Sequence, residues 1–348
     1  MSAVRQFRFA MAIRCPLPLT PIPVTKVWGG NKLRDFVRAG EGTGVSWPDE
    51  PVGEVWLTCD RDDRVSVVSE GPFAGRSLRG LMLSEQEALL GDSKPSADGC
   101  FPLIVKLLDA HQNLSVQVHP DPIAAKALGS TPKSECWYVL AASEGAEVLL
   151  GLAPGVDATA FAKGAASPDV VELLQRFSVR EGDGIDVPGG TVHSIGAGIA
   201  IAEVQNNSDT TYRIYDWDRT GLSGEPRDTH LQEALRSIDY EAVPEAPSPL
   251  VEPDEDAPSV NRHAVLRDGE LFLAEVLDLH EPEELGSPGQ PTVLLVLSGK
   301  GRLETGDGET YLLEKGSTWL LPADLESASV VEACGNLRVL RARTRSAR

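Results

Sequence analysis

The sequence predicts an all-β protein with a few helices, arranged as two β units of unequal size. Short alternating or apolar segments recur between Gly, Pro and Asp, at 65–68, 114–119, 137–141, 148–152 and 200–205. That spacing suggests a sandwich or barrel rather than βαβ units. Two helical stretches interrupt the strands. Residues 158–177 carry Val170, Val171, Leu173, Leu174 and Phe177 at near-helical intervals after a Ser-Pro-Asp start, and 228–238 puts Leu231, Leu235 and Ile238 on one face. Residues 243–258 are rich in Pro, Glu and Asp with hardly any large apolar side chain, a composition that cannot bury a core. Beyond them a second run of strands is expected at 271–277, 292–297, 301–304, 310–313 and 318–321, with Gly299, Gly301, Gly306 and Gly308 at the turns. The expected organisation is a larger unit at 16–242, an acidic linker at 243–258 and a smaller β unit at 259–345.

The chain has 348 residues, 41% hydrophobic and 24% charged, an ordinary globular composition. Its formal net charge of −20 excludes a nucleic-acid surface, which needs clustered Lys and Arg. The same charge opposes any anionic ligand, so a phosphate site must be a local group of cations shielded inside a cleft. Arg213, Lys133, Lys106 and Arg219 are the candidates. Cys15, Cys59, Cys100, Cys136 and Cys334 are odd in number and widely spaced, which points to a reducing, cytoplasmic compartment. Arg5, Arg8 and Arg14 accompany an apolar run at 9–13 that is too short for a signal sequence, and no segment reaches transmembrane length.

The first chemical signal is LSVQVHPD, 114–121. On a strand, alternate side chains share a face, so Ser115, Gln117 and His119 point one way and Leu114, Val116 and Val118 the other. KSECWYVL then places Glu135 at the start of another strand, and GDGIDVPGGTVHSIG ends a Gly-rich turn on His193. Each residue alone is more often structural. Together, one Gln, two His and one Glu form a mixed nitrogen and oxygen set suited to zinc, with room for water or substrate. The patterns QxH on one strand and GDxxxxPxGxxH after a turn are both typical of cupin β-barrels, so the expected fold is a cupin (jelly-roll) barrel followed by a smaller cupin-like domain.

LSVQVHPD, KSECWYVL, VREGDGIDVPGGTVHSIG and EVQNNSDTTYRIYDWDR resemble, in order and spacing, the signature segments of the class I mannose-6-phosphate isomerases, particularly the short bacterial form. KVWGGNKLRDF, GEVWLTCD and VSVVSEGPFAGRSLRGLM extend the resemblance over residues 24–219. It implies zinc ligands at Gln117, His119, Glu135 and His193, one zinc per chain, and interconversion of mannose 6-phosphate and fructose 6-phosphate through a zinc-stabilised cis-enediol(ate). It also implies that Arg213 faces the active site, where its guanidinium fork suits phosphate or enediolate oxygens.

Strand parity turns Lys133 toward the same cavity as Glu135, as a phosphate ligand or a proton carrier. Glu203 and Lys133 lead the candidates for the shuttling base, ahead of Asp209 and His193. Ser115 is expected near the phosphate, Trp28 as a wall for the sugar, and Asp209 among the substrate contacts. NNSDTTYR reads as a turn whose side chains satisfy local backbone groups. KGSTWLLPADLES in the second unit looks like a cupin turn without a ligand His, and His263 and His280 read as surface residues of a metal-free module. The expected partner is a small sugar phosphate, with no nucleic acid and no membrane, and the chain is expected to be a monomer, with weak homo-oligomerisation as the alternative. A metal-dependent cupin oxygenase and a non-catalytic sugar-phosphate-binding cupin are the competing readings.

Overall fold

The computed structural model describes residues 13–37, 44–250 and 260–345. The first twelve residues, with Arg5, Arg8 and most of the apolar run at 9–13, lie outside the described residues, as do 251–258 of the acidic stretch. The chain begins with β1 (Leu17–Pro18), β2 (Ile22–Gly30), α1 (Lys32–Phe36), β3 (Val52–Thr58), α2 (Leu78–Leu90), β4 (Leu103–Ala110) and β5 (Val116–Val118). It continues through α3 (Pro122–Leu128), β6 (Glu135–Ala142), β7 (Glu147–Leu152), α4 (Ala158–Gly164), a 3-10 turn (Pro168–Leu173) and β8 (Leu174–Ser178). Next come β9 (Asp183–Val187), β10 (His193–Ile195), β11 (Ile199–Asn206), β12 (Tyr212–Tyr215), α5 (Leu231–Ser237) and β13 (Ser248–Pro249). The C-terminal strands are β14 (Arg262–Asp268), β15 (Phe272–Leu279), β16 (Glu283–Glu284), β17 (Thr292–Thr305), β18 (Thr310–Glu314), β19 (Thr318–Leu321) and β20 (Ala328–Thr344).

A seven-stranded sheet, β13-β9-β6-β11-β4-β3-β2, faces a five-stranded sheet, β12-β5-β10-β7-β8. Leu108, Trp137, Val139, Ile185 and Ile201 of the first meet Val148, Leu150 and Ile195 of the second in a shared core. The sheets stay open rather than closing into a barrel, so the jelly roll is a sandwich with a mouth at one end. The other face of the larger sheet, with Val55, Leu57, Val105, Leu107, Tyr138 and Val204, packs on α2 and on Phe272, Val276, Val293, Leu295 and Leu340 of the C-terminal sheet. Packing on both faces leaves every residue of β3 and β4 buried, charged ones included, instead of alternating with exposed positions. The helices α3, α4 and α5 cover the outer face of the smaller sheet around Val116, Phe161, Val170 and Ile214.

Several elements differ from the sequence expectation. The helix at 158–177 ends at Gly164, restarts at Pro168 as a 3-10 turn, and gives way to β8, because Leu174 to Ser178 alternate in burial and pair with β7. The helix expected from 228 begins only at Leu231. Residues 65–68 form isolated bridges rather than a strand. The two strands at 292–297 and 301–304 are one, β17, whose register shifts around Gly299 at φ 75°. The helix α2, not anticipated, starts at a Ser77 cap that accepts from the Gly80 N–H. Leu17 and Pro18 pair with Leu320 and Trp319, so the N-terminal strand sits on the edge of the C-terminal sheet. Ser248 and Pro249 pair with Gly184 and Asp183, docking the start of the acidic stretch on the larger sheet.

Two glycines let β2 and β3 cross closely beside the site. A Cβ at Gly29 would lie 2.3 Å from the Gly53 nitrogen, and one at Gly53 would meet Trp28 at 2.7 Å. Gly29→Ala is therefore expected to cost about 1–3 kcal/mol by overpacking, which a thermal melt reads as a fall of several degrees. An unchanged melting temperature would mean that the crossing can open freely.

Candidate metal centre

The segment after Val116 stops its strand by sequence. His119 is followed by Pro120, the Asp121 side chain caps α3 by accepting from the Ala124 N–H at 2.7 Å, and Pro122 opens the helix. Gln117 on β5 lies directly between His193 on β10 and Arg213 on β12. The turn before His193 presses on the same region. A Cβ at Gly189 would come within 2.9 Å of the Asp121 Cα and of the Pro120 and Lys133 carbonyl oxygens, and the Gly190 N–H donates to the His119 carbonyl at 2.7 Å. From the facing sheet, Glu135 pairs with Gln205 and Lys106 with Glu203.

The ligand atoms of His119, Glu135 and His193 lie within 4.8 Å of one another, all three residues buried. His119 donates from Nδ1 to the Thr210 carbonyl at 2.8 Å and His193 from Nδ1 to the Thr191 carbonyl at 2.9 Å. Both Nε2 lone pairs are thereby left facing inward. Burial pushes the His119 imidazole down to about 3 and lowers His193 too, so both are neutral at ordinary pH. Glu135 Oε1 accepts from the Trp137 indole at 3.0 Å, whereas Oε2 is buried without a directed hydrogen bond and lies 3.2 Å from His119 Nε2. Two lone-pair-bearing atoms at that separation, with no proton between them, call for a cation. The Lys133 ammonium partly answers, 2.6 Å from Oε2 and 3.1 Å from His119 Nε2. Gln117 completes the set: its amide donates to His193 Nε2 at 3.2 Å and accepts from Ser115 Oγ at 3.1 Å, and turning the amide over presents oxygen instead. These donors fit zinc.

A line of opposite charges continues across the larger sheet. Lys26 lies 3.3 Å from Glu54, Lys106 3.1 Å from Glu203, and Lys133 3.8 Å from Glu203. Burial raises the Glu203 carboxyl, Glu135 raises it further, and despite Lys106 and Lys133 it is pushed up to about 7. For Glu54 burial also acts to raise the pKa, but Lys26, Lys106 and the Trp56 indole overcome it and hold the carboxyl at about 2. These groups line a cavity of about 300 Å³ walled by Trp28 and Trp56.

The structure brings Ser115, Gln117, Lys133, Glu135, Glu203, Arg213 and Trp28 to that cavity, with Asp209 exposed at its rim. His119 and His193 stand behind its wall at 1% exposure. Arg219 is turned away, donating to Asp216 at 2.8 Å and to the Asn113 carbonyl at 2.6 Å. Arg213 forms no ion pair among the described residues. It donates to the Asp228 carbonyl at 2.7 Å and keeps a buried, unpartnered Nε. Asn206 and Asn207 satisfy distant rather than local backbone: Asn206 bonds Ser134 N and the Pro132 carbonyl, fixing the segment just before β6 that carries Lys133, and Asn207 bonds the Asp60 and Phe101 carbonyls.

Comparison with known proteins places this geometry. Residues 17–149 match the family described as phosphomannose isomerase type I, catalytic domain. The mannose-6-phosphate isomerase of Streptococcus mutans is 36% identical over 308 residues, covering 87% of this chain and 90% of that protein. The crystal structure of the mannose 6-phosphate isomerase from Bacillus subtilis superposes with a TM-score of 0.80 at 31% identity, over 94% of this chain and 99% of that one. The chain belongs to the type I mannose-6-phosphate isomerases. A zinc-bound mannose 6-phosphate isomerase structure shares the fold at 16% identity, with a TM-score of 0.72 over 95% of this chain and 99% of that one.

The family match spans Gln117, His119 and Glu135, while His193, Glu203 and Arg213 follow it in sequence. Sequence reasoning missed Lys26, Glu54, Trp56 and Arg227, which also line the cavity of this family member. For the first three a signal existed: Lys26 sits two residues before Trp28, and Glu54 and Trp56 alternate in GEVWLTCD. Arg227 had none, being placed by a loop.

Because the folded Glu54 pKa lies below its ordinary 4.5, its stabilisation is fully present above pH 4.5 and is lost as pH falls toward about 2. The stability gap between wild type and Glu54→Gln, read by urea unfolding, should thus be largest near neutrality, up to about 3 kcal/mol, and narrow on acidification. A gap constant between pH 6 and 3 would remove the ion pairs of Glu54 as its cause.

Proposed function

We propose that this protein interconverts mannose 6-phosphate and fructose 6-phosphate, with Gln117, His119, Glu135 and His193 holding one zinc ion. The observation that carries the reading is the convergence of those four donors, Gln117 and Glu135 in the wall of a cavity and His119 and His193 just behind it, in a chain of this family, with the unprotonated His119 Nε2 and the Glu135 carboxylate 3.2 Å apart.

Aldose–ketose isomerisation moves a proton between C2 and C1 through a cis-enediol, and charge developing on oxygen sets the barrier. Bound zinc supplies Lewis acidity toward that oxygen. Glu203, whose carboxyl burial raises above its ordinary range, can both take and return a proton, which is what a shuttle between adjacent carbons must do. Lys106 fixes its carboxylate from 3.1 Å. Lys133 stands between Glu203 and the donor set, placed to hold a substrate oxygen or to pass a proton along that line. Arg213, which forms no ion pair among the described residues, offers its fork to phosphate or to the enediolate oxygens. Trp28 supplies an apolar wall, Ser115 is a hydroxyl or phosphate contact, and Asp209 a contact to a sugar hydroxyl.

The same reading takes 16–242 as the catalytic unit and 259–345 as a metal-free cover, in which His263 and His280 each neighbour a single carboxylate, Glu283 at 3.4 Å and Asp278 at 4.0 Å. It also takes the enzyme to be a cytoplasmic monomer, in keeping with five free cysteines. Among the described residues no helix is long and apolar enough to cross a membrane.

A coupled assay for fructose 6-phosphate, run on metal-stripped protein with and without zinc, tests the reading. Zinc-dependent turnover is expected, and its absence under every divalent metal would overturn it. His119→Ala and Glu135→Ala should lose zinc, read by elemental analysis, together with activity. Arg213→Ala should retain zinc and lose about 100-fold or more in kcat. Unchanged kinetics would remove Arg213 from the site.

A further inference from the structure

An outer cleft of about 530 Å³, bounded by β2 and the loop that follows β12, adjoins the inner cavity. Only three residues line both spaces: Lys26, Arg213 and Arg227. The neck where the two adjoin is thus lined by three cations, in a chain whose net charge is −20. Such a local reversal of sign is what an anionic ligand needs in order to approach an acidic protein.

The cations keep free hydrogen-bonding capacity. Arg227 donates from Nε to Asp216 Oδ2 at 2.7 Å and from Nη2 to Asp216 Oδ1, while its Nη1 has no partner among the described residues. Asp216, 7% exposed, also accepts from Arg219 at 2.8 Å. Its carboxylate, clamped from two sides, fixes the Arg227 guanidinium at the neck. Among the described residues Arg213 leaves Nε unpartnered, and Lys26 has a single ion pair, with Glu54.

We propose that Lys26 and Arg227, together with Arg213, grip the phosphate of the substrate at this neck, and that Asp216 is the positioning residue that holds Arg227 there. The inference rests on the isomerase reading and deepens it. The reacting carbons, C1 and C2, must reach Glu203 and the donor set on the cavity floor, so the phosphate on C6, at the far end of the chain of carbons, points out toward the neck. Glu225 and Asp228 line only the outer cleft, which keeps the phosphate from settling further out.

The test uses the zinc-loaded full chain and two independent readouts. Calorimetric titration with inorganic phosphate should show binding to wild type and at least about 10-fold weaker binding to Arg227→Met. With mannose 6-phosphate, Arg227→Met should raise KM about 10- to 100-fold while kcat changes less than about 3-fold and zinc content stays unchanged. Arg227→Lys should recover part of the loss, and Asp216→Asn should give an intermediate KM. If Arg227→Met fails to fold, Lys26→Met carries the same expectation from the other side of the neck. A folded Arg227→Met with wild-type phosphate affinity and KM would overturn the proposal. If wild type binds phosphate in an Arg227-dependent way yet isomerises nothing, the isomerase reading fails and the anion site stands.

Discussion

Glu135 is a carboxylate at 1% exposure, set against two neutral imidazoles whose protons are already committed to backbone carbonyls. A charge so placed is strongly unfavourable unless a cation meets it, and removing one partner of such a buried pair typically costs about 3–5 kcal/mol. Much of the surrounding structure serves that one constraint. Trp137 anchors Oε1, Lys133 reaches Oε2, and the Asn206 side chain pins the backbone on either side of Lys133. A site that satisfies itself with a lysine in part, and with a divalent cation more fully, is open at the position where chemistry has to occur.

The apolar packing on both sides of the larger sheet makes this tolerable. Its outer face is sealed by α2 and the C-terminal sheet, and its inner face is apolar toward the end remote from the cavity. Burial of this kind, at about 25 cal/mol per Å² of apolar surface, offsets the desolvation of the charged residues at the open end. The charges themselves alternate in sign from strand to strand, Lys26 to Glu54 and Lys106 to Glu203, so that Glu54 and Glu203 each have a lysine within 3.3 Å. The C-terminal sheet contributes to the site without touching it, by keeping water from the back of the strands that carry Glu54, Lys106, Glu203 and Glu135.

The same arrangement separates two electrostatic roles. Deep in the cavity, carboxylates and lysines are matched; burial, with Glu135, still pushes Glu203 upward, whereas Lys26 and Lys106 hold Glu54 down against its burial. At the neck the cations are in excess. The acidic exterior acts over a distance set by salt, about 8 Å at physiological ionic strength, whereas the neck acts at contact. The net repulsion of an anion is therefore weak where it is felt first and reversed where binding happens.

The sequence by itself determined the donor set and the fold class. Period-2 alternation places Gln117 and His119 on one face, the Gly-rich turn delivers His193, and both depend on neighbours within a few residues. It also indicated β15, β18 and β19 of the second unit, while splitting β17, missing α2, β14 and β20, and misreading β8 as helix, because a broken helix followed by a strand blurs two periods. Tertiary structure alone decided which charges meet. Arg219, favoured by its place in YDWDR, is drawn to Asp216 and Asn113, and Arg227, in a loop with no periodicity, reaches the cavity in its stead. The pairing of Lys106 with Glu203 is likewise a matter of register between strands nearly a hundred residues apart. Local pattern fixes the direction in which a side chain points; only the packing of sheets and loops fixes what it points at.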